Sequence, residues 1–303
     1  MKAIITKKSG SSEGLQFEDV NKPEPSNNEV LIKVYAATVT RGDIVLRRMH
    51  PLLFIPLRLF GLRKKVIPGH EFAGEIEAVG SDVSKYEVGD RVFGTTTGLR
   101  AGANAEYVCL PEEWKSGVIM KMPPELTYDE AAATPVGGMT ALEILSRGNI
   151  QKGQKVLIYG ASGSVGTFAV QLTKNYFGAE VTGVCSTSNI ELVKSLGADK
   201  VIDYKQEDIT RINQIFDVIF DAVGKTNPSD WKGILKPEGA FLTVKTTTKE
   251  NETNLSILAE LVGKGKLKSV IDRRYSLDEV VEAHKYVESG HKKGNVVIVV
   301  DRT

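Results

Sequence analysis

Hydrophobic and polar positions alternate in short runs over about the first 122 residues. Met1–Thr6 alternates in the manner of a strand, and further strands are predicted over Val30–Ala36, Phe72–Val79, Arg91–Gly94 and Ala105–Leu110. Gly80-Ser81-Asp82 and Gly89-Asp90 punctuate them as turns. Such alternation, interrupted by Gly, Asx and Ser, is what half-buried strands and their connections require. The pattern changes after Pro123-Pro124, where Thr127-Tyr128-Asp129-Glu130 has the spacing of a capping box ahead of an Ala-rich helix running towards Leu145.

From Lys155 strands and helices alternate. Val156–Tyr159 leads through a glycine turn into a helix reaching Gln171; Glu180–Cys185, Lys200–Asp203, Phe216–Phe220 and Ala240–Val244 are further strands, with a helix over Ile190–Leu196. Apolar strands alternating with helices imply a parallel sheet with right-handed crossovers. Beyond Asn254 a helix carries Leu255, Leu258, Leu261 and Val262 on one face, Ser276-Leu277-Asp278-Glu279 forms a second capping box, and Val296–Val300 closes as a strand. No internal repeat is visible. The fold class is therefore α/β, with two domains.

Composition narrows the functions. A chain of 303 residues with 41% hydrophobic content can bury two cores, and a formal charge of +1 provides no general attraction to nucleic acid. No apolar run approaches the roughly 20 residues of a spanning helix, so a soluble, cytoplasmic protein is expected. Cys109 and Cys185 stand in unrelated contexts and are expected to be packing thiols.

Gly160-Ala161-Ser162-Gly163-Ser164-Val165-Gly166 lies between a predicted strand and a predicted helix. Glycines there let the backbone turn tightly and approach a pyrophosphate, and the N–H groups opening the helix meet its charge. Gly160, Ser162, Gly163, Ser164, Val165 and Gly166 are accordingly candidate cofactor residues. At the end of the second strand, Gly183-Val184-Cys185-Ser186-Thr187-Ser188-Asn189 lacks the acid that commonly holds the ribose of NAD. Ser186, Thr187 and Ser188 can donate to a 2′-phosphate instead, favouring NADP(H), although the segment has no Lys or Arg and its hydroxyls can equally cap the next helix.

The chain resembles the medium-chain dehydrogenase/reductase superfamily, in particular its zinc-independent quinone oxidoreductase group, which includes zeta-crystallin. The motifs that carry the resemblance are Ile67-Pro68-Gly69-His70-Glu71-Phe72-Ala73-Gly74 with Gly80, Val88-Gly89-Asp90-Arg91-Val92 and Ala105-Glu106-Tyr107. They continue with Thr140-Ala141-Leu142, the glycine turn, Leu196-Gly197-Ala198-Asp199 and Phe216-Asp217-Val218-Ile219-Phe220-Asp221. The resemblance implies a GroES-like β-barrel substrate domain over 1–123 and 267–303 and a Rossmann, doubly wound NADP-binding domain over 124–266, with the active site between them. It further implies that Tyr204 contacts the adenosine phosphate region and that Ala222, Val223 and Gly224 lie near the nicotinamide ribose.

Gly69-His70-Glu71 also matches the zinc alcohol dehydrogenases, where two cysteines complete the metal site. This chain has Thr40 within Val39–Asp43 at one of those positions and Val136 near the other, so no metal is expected, and His70 and Glu71 are read as hydrogen-bonding residues. Without a Lewis acid, hydride transfer from NADPH to a quinone is easier than alcohol oxidation, because conjugation spreads the developing charge. Reduction of the double bond of a 2-alkenal or enone is the alternative; a non-enzymatic NADPH-binding scaffold or regulator is the alternative of another class. Thr40 is the candidate catalytic residue, orienting substrate or relaying a proton, against a reading in which it only packs or caps; Asp43 is expected to be structural. Arg47–Lys65 is basic and apolar without an acid, and is expected to wall the substrate pocket, a membrane contact being the lesser alternative. The partner is a small quinone or enone and not nucleic acid. Lys245–Thr253 is short and polar where relatives extend a sheet across a dimer, leaving monomer and homodimer both open.

Overall fold

The computed structural model describes residues 1–48, 67–96, 102–115 and 117–300. The chain begins with β1 (Lys2–Thr6), β2 (Leu15–Asp19), β3 (Glu29–Thr38), α1 (Arg41–Arg48), β4 (Glu71–Val79), β5 (Arg91–Thr95), β6 (Tyr107–Pro111) and β7 (Val118–Lys121). It continues with α2 (Tyr128–Ala132), α3 (Pro135–Ser146), β8 (Lys155–Tyr159), α4 (Ser164–Asn175), β9 (Glu180–Cys185), α5 (Ile190–Ser195), β10 (Lys200–Asp203) and β11 (Phe216–Asp221). Then follow β12 (Leu235–Thr243), α6 (Glu252–Gly263), β13 (Ile271–Ser276), α7 (Val280–Glu288) and β14 (Asn295–Val299). Beyond Arg48, the Arg47–Lys65 segment lies outside the described residues. Among the described residues no helix is long and apolar enough to cross a membrane.

Two compact units result, Met1–Pro135 with Ile271–Thr303 and Val136–Val270. In the first, β3 is the hub: it pairs antiparallel with β4, with β6 over Glu29–Lys33 and with β14 over Ala36–Thr38. β4 continues through β5 to β7, and β14 pairs in parallel with β13. Alternation puts Val30, Ile32 and Val34 into one core with Phe72, Ile76 and Val92. Burying each such side chain stabilises the unit by about 1.5–3 kcal/mol. Register shifts between Leu31 and Ile32 and between Val34 and Ala36 bend β3, as a closing sheet demands.

The second unit is a parallel sheet in the order β10-β9-β8-β11-β12. Val156, Leu157 and Ile158 of β8 are all fully buried, which explains why this strand is continuously apolar rather than alternating. On α6 the buried residues are Leu255, Leu258, Leu261 and Val262, the face marked by the sequence periodicity. No strand forms between Val244 and Asn251, so β12 ends the sheet.

The helix expected from Thr127 towards Leu145 is two helices. The capping box forms, with Glu130 N donating to Thr127 Oγ1 at 3.3 Å and Thr127 N to Glu130 Oε2 at 3.0 Å. α2 then stops, because Pro135 lacks an N–H and disfavours helical backbone before it, and Thr134 Oγ1 donates to Glu130 O at 2.7 Å. Tyr128 stacks on Tyr35 of β3 with ring centroids 4.5 Å apart, which holds α2 on the barrel unit. The second capping box, Ser276 with Glu279, opens a short 3-10 turn ahead of α7.

Candidate functional site

In a doubly wound sheet, ligands bind beyond the carboxyl ends of the strands where the strand order reverses. Here the chain lays β9 and β10 on one side of β8 and then β11 and β12 on the other, so the reversal falls between β8 and β11. The loops leaving those two strands are the glycine turn and Ala222-Val223-Gly224. Ala222 N donates to Tyr159 O at 2.9 Å, tying one loop to the other strand's end.

Gly160 has φ +81, a left-handed conformation that side chains rarely adopt. A Cβ at Gly160 would collide with Val223 Cγ2, and one at Gly166 with the Gly160 carbonyl. Gly163 is the N-cap of α4, and Ser162, Gly163, Ser164 and Val165 are half-buried along the turn. These features fit a dinucleotide pyrophosphate: backbone without side chains, leading into a helix N-terminus.

At the ends of β9 and β10 the serine-rich turn meets both the glycine turn and the residues that close β10. Asn189 Nδ2 donates to Ser162 Oγ at 3.1 Å and to Ser186 Oγ at 3.2 Å, linking the glycine turn to the serine-rich one. Ser186 and Ser188 hydroxyls lie 3.4 Å apart. Thr187 is turned away from them: its Oγ1 donates to Asp203 Oδ2 at 2.5 Å. That hydroxyl and the neighbouring Lys205 hold the Asp203 carboxyl below its usual range. The segment Gly183–Asn189 itself carries no charge, and one carboxylate and one ammonium are brought beside it because β10 lies parallel to β9 with Asp203 opposite Cys185. Tyr204 is exposed, its backbone N–H bonded to Cys185 O at 3.2 Å.

Asp221 ends β11 and is fully buried. Its Oδ1 accepts from Val223 N and Gly224 N, both at 2.9 Å, and its Oδ2 from Thr226 N at 2.7 Å and Thr226 Oγ1 at 2.8 Å.

In the barrel unit, Thr40 is half-buried ahead of α1, and Asp43 lies in its first turn. Asp43 N donates to Thr40 Oγ1 at 3.1 Å, while Asp43 Oδ2 accepts from Thr40 N at 2.7 Å and Thr40 Oγ1 at 2.6 Å. This is a reciprocal cap, and it commits the Thr40 proton to Asp43; the hydroxyl oxygen keeps an acceptor position. Asp43 Oδ1 meets His70 Nδ1 at 2.5 Å. Burial alone would raise the Asp43 carboxyl, but the imidazole and the Thr40 donors outweigh it and hold it at about 2. Glu71 accepts from Thr38 Oγ1 at 2.5 Å. Nearby, Arg47 pairs with Glu288, and fully buried His284 has neither ring nitrogen hydrogen-bonded. Burial pushes His284 down to about 4, Arg47 acting in the same direction against Asp43 and Glu288.

A catalytic zinc of the kind found in alcohol dehydrogenases needs three protein ligands. Thr40 and Val136 cannot supply thiolates, and among the described residues no group of three His, Cys, Asp or Glu side chains is placed to hold a metal. The donor set does not fit that metal.

Comparison with known proteins gives two family matches: the alcohol dehydrogenase GroES-like domain over residues 26–124, and the zinc-binding dehydrogenase family over 196–253 and 241–298. A 2-methylene-furan-3-one reductase of Solanum lycopersicum is 33% identical, the match covering 98% of this chain and 79% of that protein. A chloroplastic NADPH-dependent alkenal/one oxidoreductase of Arabidopsis thaliana is 31% identical, over 98% and 79%. The solved structure of the quinone oxidoreductase from Coxiella burnetii superposes with a TM-score of 0.84 at 30% identity, covering 99% of each chain.

Proposed function

The chain belongs to the medium-chain dehydrogenase/reductase superfamily, in its quinone oxidoreductase group, and from that premise we propose that it reduces quinones with NADPH and without zinc. It is an oxidoreductase enzyme with a nicotinamide cofactor and small-molecule substrates, built from a GroES-like barrel and a Rossmann sheet. In this reading the barrel unit is the substrate domain and the sheet unit the cofactor domain.

The observation that carries the proposal is the pairing of a glycine turn suited to a pyrophosphate with a barrel whose described residues include no zinc donor set. The bound nicotinamide would supply the hydride. Gly160, Ser162, Gly163, Ser164, Val165 and Gly166 would hold the pyrophosphate, Ala222, Val223 and Gly224 the nicotinamide end, and Ser186, Ser188 and Tyr204 the adenosine end. Thr187 would act there through Asp203. The preference for NADPH rests on those hydroxyls and on Lys205, whose ammonium can pair with a 2′-phosphate while also screening Asp203. Thr40 would orient substrate as a hydrogen-bond acceptor, since its own proton is engaged by Asp43. A conjugated carbonyl suits such a site, because its developing charge is delocalised and does not require a metal.

A second reading, reduction of the carbon–carbon double bond of a 2-alkenal or enone, is favoured by the Solanum lycopersicum 2-methylene-furan-3-one reductase and the Arabidopsis alkenal/one oxidoreductase among its relatives. One experiment separates them: NADPH oxidation by chelator-treated protein with 1,4-benzoquinone, 9,10-phenanthrenequinone and a 2-alkenal, with NADH in parallel and products identified. Hydroquinone formed with NADPH preferred supports the proposal, and a saturated aldehyde selects the second reading. Turnover that appears only after zinc is restored rejects the metal-free mechanism. Cofactor binding without turnover on any of them turns the assignment towards a nucleotide-binding scaffold.

A further inference from the structure

We propose that Asp221 is a positioning residue for the nicotinamide end of the cofactor site, fixing the 222–226 loop against the glycine turn. The inference rests on the dinucleotide reading above and deepens it. A carboxylate offers about four lone-pair positions, and here all four are used, three by loop N–H groups and one by the Thr226 hydroxyl. No described cation pairs with Asp221 in an ion pair. A fully buried charge stabilised by neutral donors alone is costly unless those donors are held in place, so the carboxylate and the loop geometry enforce each other.

The same loop is constrained from two other sides. Trp231 Nε1 donates to Thr226 Oγ1 at 3.1 Å, so the hydroxyl that bonds Asp221 is itself oriented. Val223 presses its Cγ2 against Gly160, whose missing Cβ leaves the room for it. Gly224 takes φ +75, a left-handed conformation that turns the chain between the Gly224 N–H bonded to Oδ1 and the Thr226 N–H bonded to Oδ2. Asp221 therefore sets where the loop's remaining backbone surface faces at the point of strand-order reversal, and it does so without itself being exposed to a ligand. Such rigid support behind a binding loop is what keeps a reacting carbon within a few tenths of an ångström of its required place.

The test uses the full chain with Asp221→Asn, Thr226→Val and Thr226→Ser. An amide side chain keeps one acceptor and presents an N–H₂ to the Thr226 donors, whereas valine removes only the hydroxyl, so the second variant remains informative if the first does not fold. Three quantities are read: backbone amide exchange of Val223, Gly224 and Thr226 in the cofactor-free protein, the NADPH dissociation constant by calorimetry, and kcat and KM with 9,10-phenanthrenequinone. Asp221→Asn should speed exchange and weaken NADPH binding by about tenfold each, the scale of a lost charge-assisted hydrogen bond. kcat should fall by more than KM for the quinone rises. Thr226→Val should act in the same direction by a smaller factor, and Thr226→Ser should restore wild-type values. Wild-type protein that binds NADPH, with folded variants matching it in exchange, affinity and kcat, overturns the role of Asp221 alone. Wild-type protein that binds neither NADPH nor NADH overturns the functional reading and the cofactor role of Asp221 together.

Discussion

Asp221 in the sheet unit and Asp43 in the barrel unit are both buried carboxylates, yet their oxygens are engaged in opposite ways. Asp221 accepts only from neutral donors on one loop. Asp43 divides its oxygens between the cap of α1 and an imidazole 27 residues away. The first arrangement is a piece of local scaffolding that has no titratable hydrogen-bond partner. The second ties a helix start to an ionisable group just ahead of β4. Burial alone therefore does not mark a carboxylate as an acid or base; the atoms its oxygens touch do. In the barrel the same rule applies to Thr40, whose hydroxyl proton is engaged by Asp43 while its oxygen accepts from the Asp43 N–H.

The sharpest contrast between the units should come from steric change at the glycine turn. Gly166→Ala drives a Cβ into the Gly160 carbonyl, so NADPH affinity should fall at least tenfold and denaturant titration should lose about 2 kcal/mol. Wild-type affinity in this variant would detach the turn from cofactor binding. Next comes the barrel's acid limb. Asp43 is held at about 2, below its unfolded value, so its contribution is present above about pH 4 and is lost as pH falls towards 2, on the order of 2 kcal/mol in all. Asp43→Asn should lower stability at pH 7 and flatten the urea midpoint between pH 4 and pH 2; an unchanged acid slope would show that the His70 pairing carries no folding energy.

His284 probes the same cluster with the opposite charge type. It stays neutral in the fold down to about 4 but protonates near 6.5 when unfolded, so stability should decline as pH drops through that window. His284→Leu removes two buried nitrogens without partners, and should cost less than about 1 kcal/mol at pH 8 while abolishing the slope between pH 6.5 and pH 4. A steeper slope in the variant would place the titration elsewhere. The smallest effect belongs to Thr127→Ala, which loses one exposed capping box and about 0.5 kcal/mol of stability at every pH. Because α2 stacks on β3, NADPH affinity should stay at its wild-type value; a parallel loss of affinity would mean that α2 also supports the sheet unit.

Much of the architecture was legible where a feature is confined to one element. β10 spans the predicted Lys200–Asp203, both capping boxes form, and the apolar face of α6 is the buried one. The glycine turn sits between β8 and α4 as its spacing requires. Other signals were present but local in an unexpected way: Thr40-Arg41-Gly42-Asp43 has capping-box spacing, with Asp in the usual place of Glu, and no helix was predicted there. Pro135 splitting the Ala-rich helix was likewise readable from its missing N–H.

What stayed hidden involves atoms brought together across elements. Asp203 and Lys205 join the serine-rich turn after β9 only because β10 lies parallel to β9, and His70 reaches Asp43 only because the start of β4 pairs with the end of β3, next to α1. Asp221 was visible as the last residue of a motif, but its four hydrogen bonds depend on the path of the loop after it. Periodicity, caps and glycines act over one turn or one strand, where chain geometry alone fixes which groups meet. The partners of a buried charge are chosen by strand pairing and register, which bring together groups that residue spacing along the chain leaves unspecified.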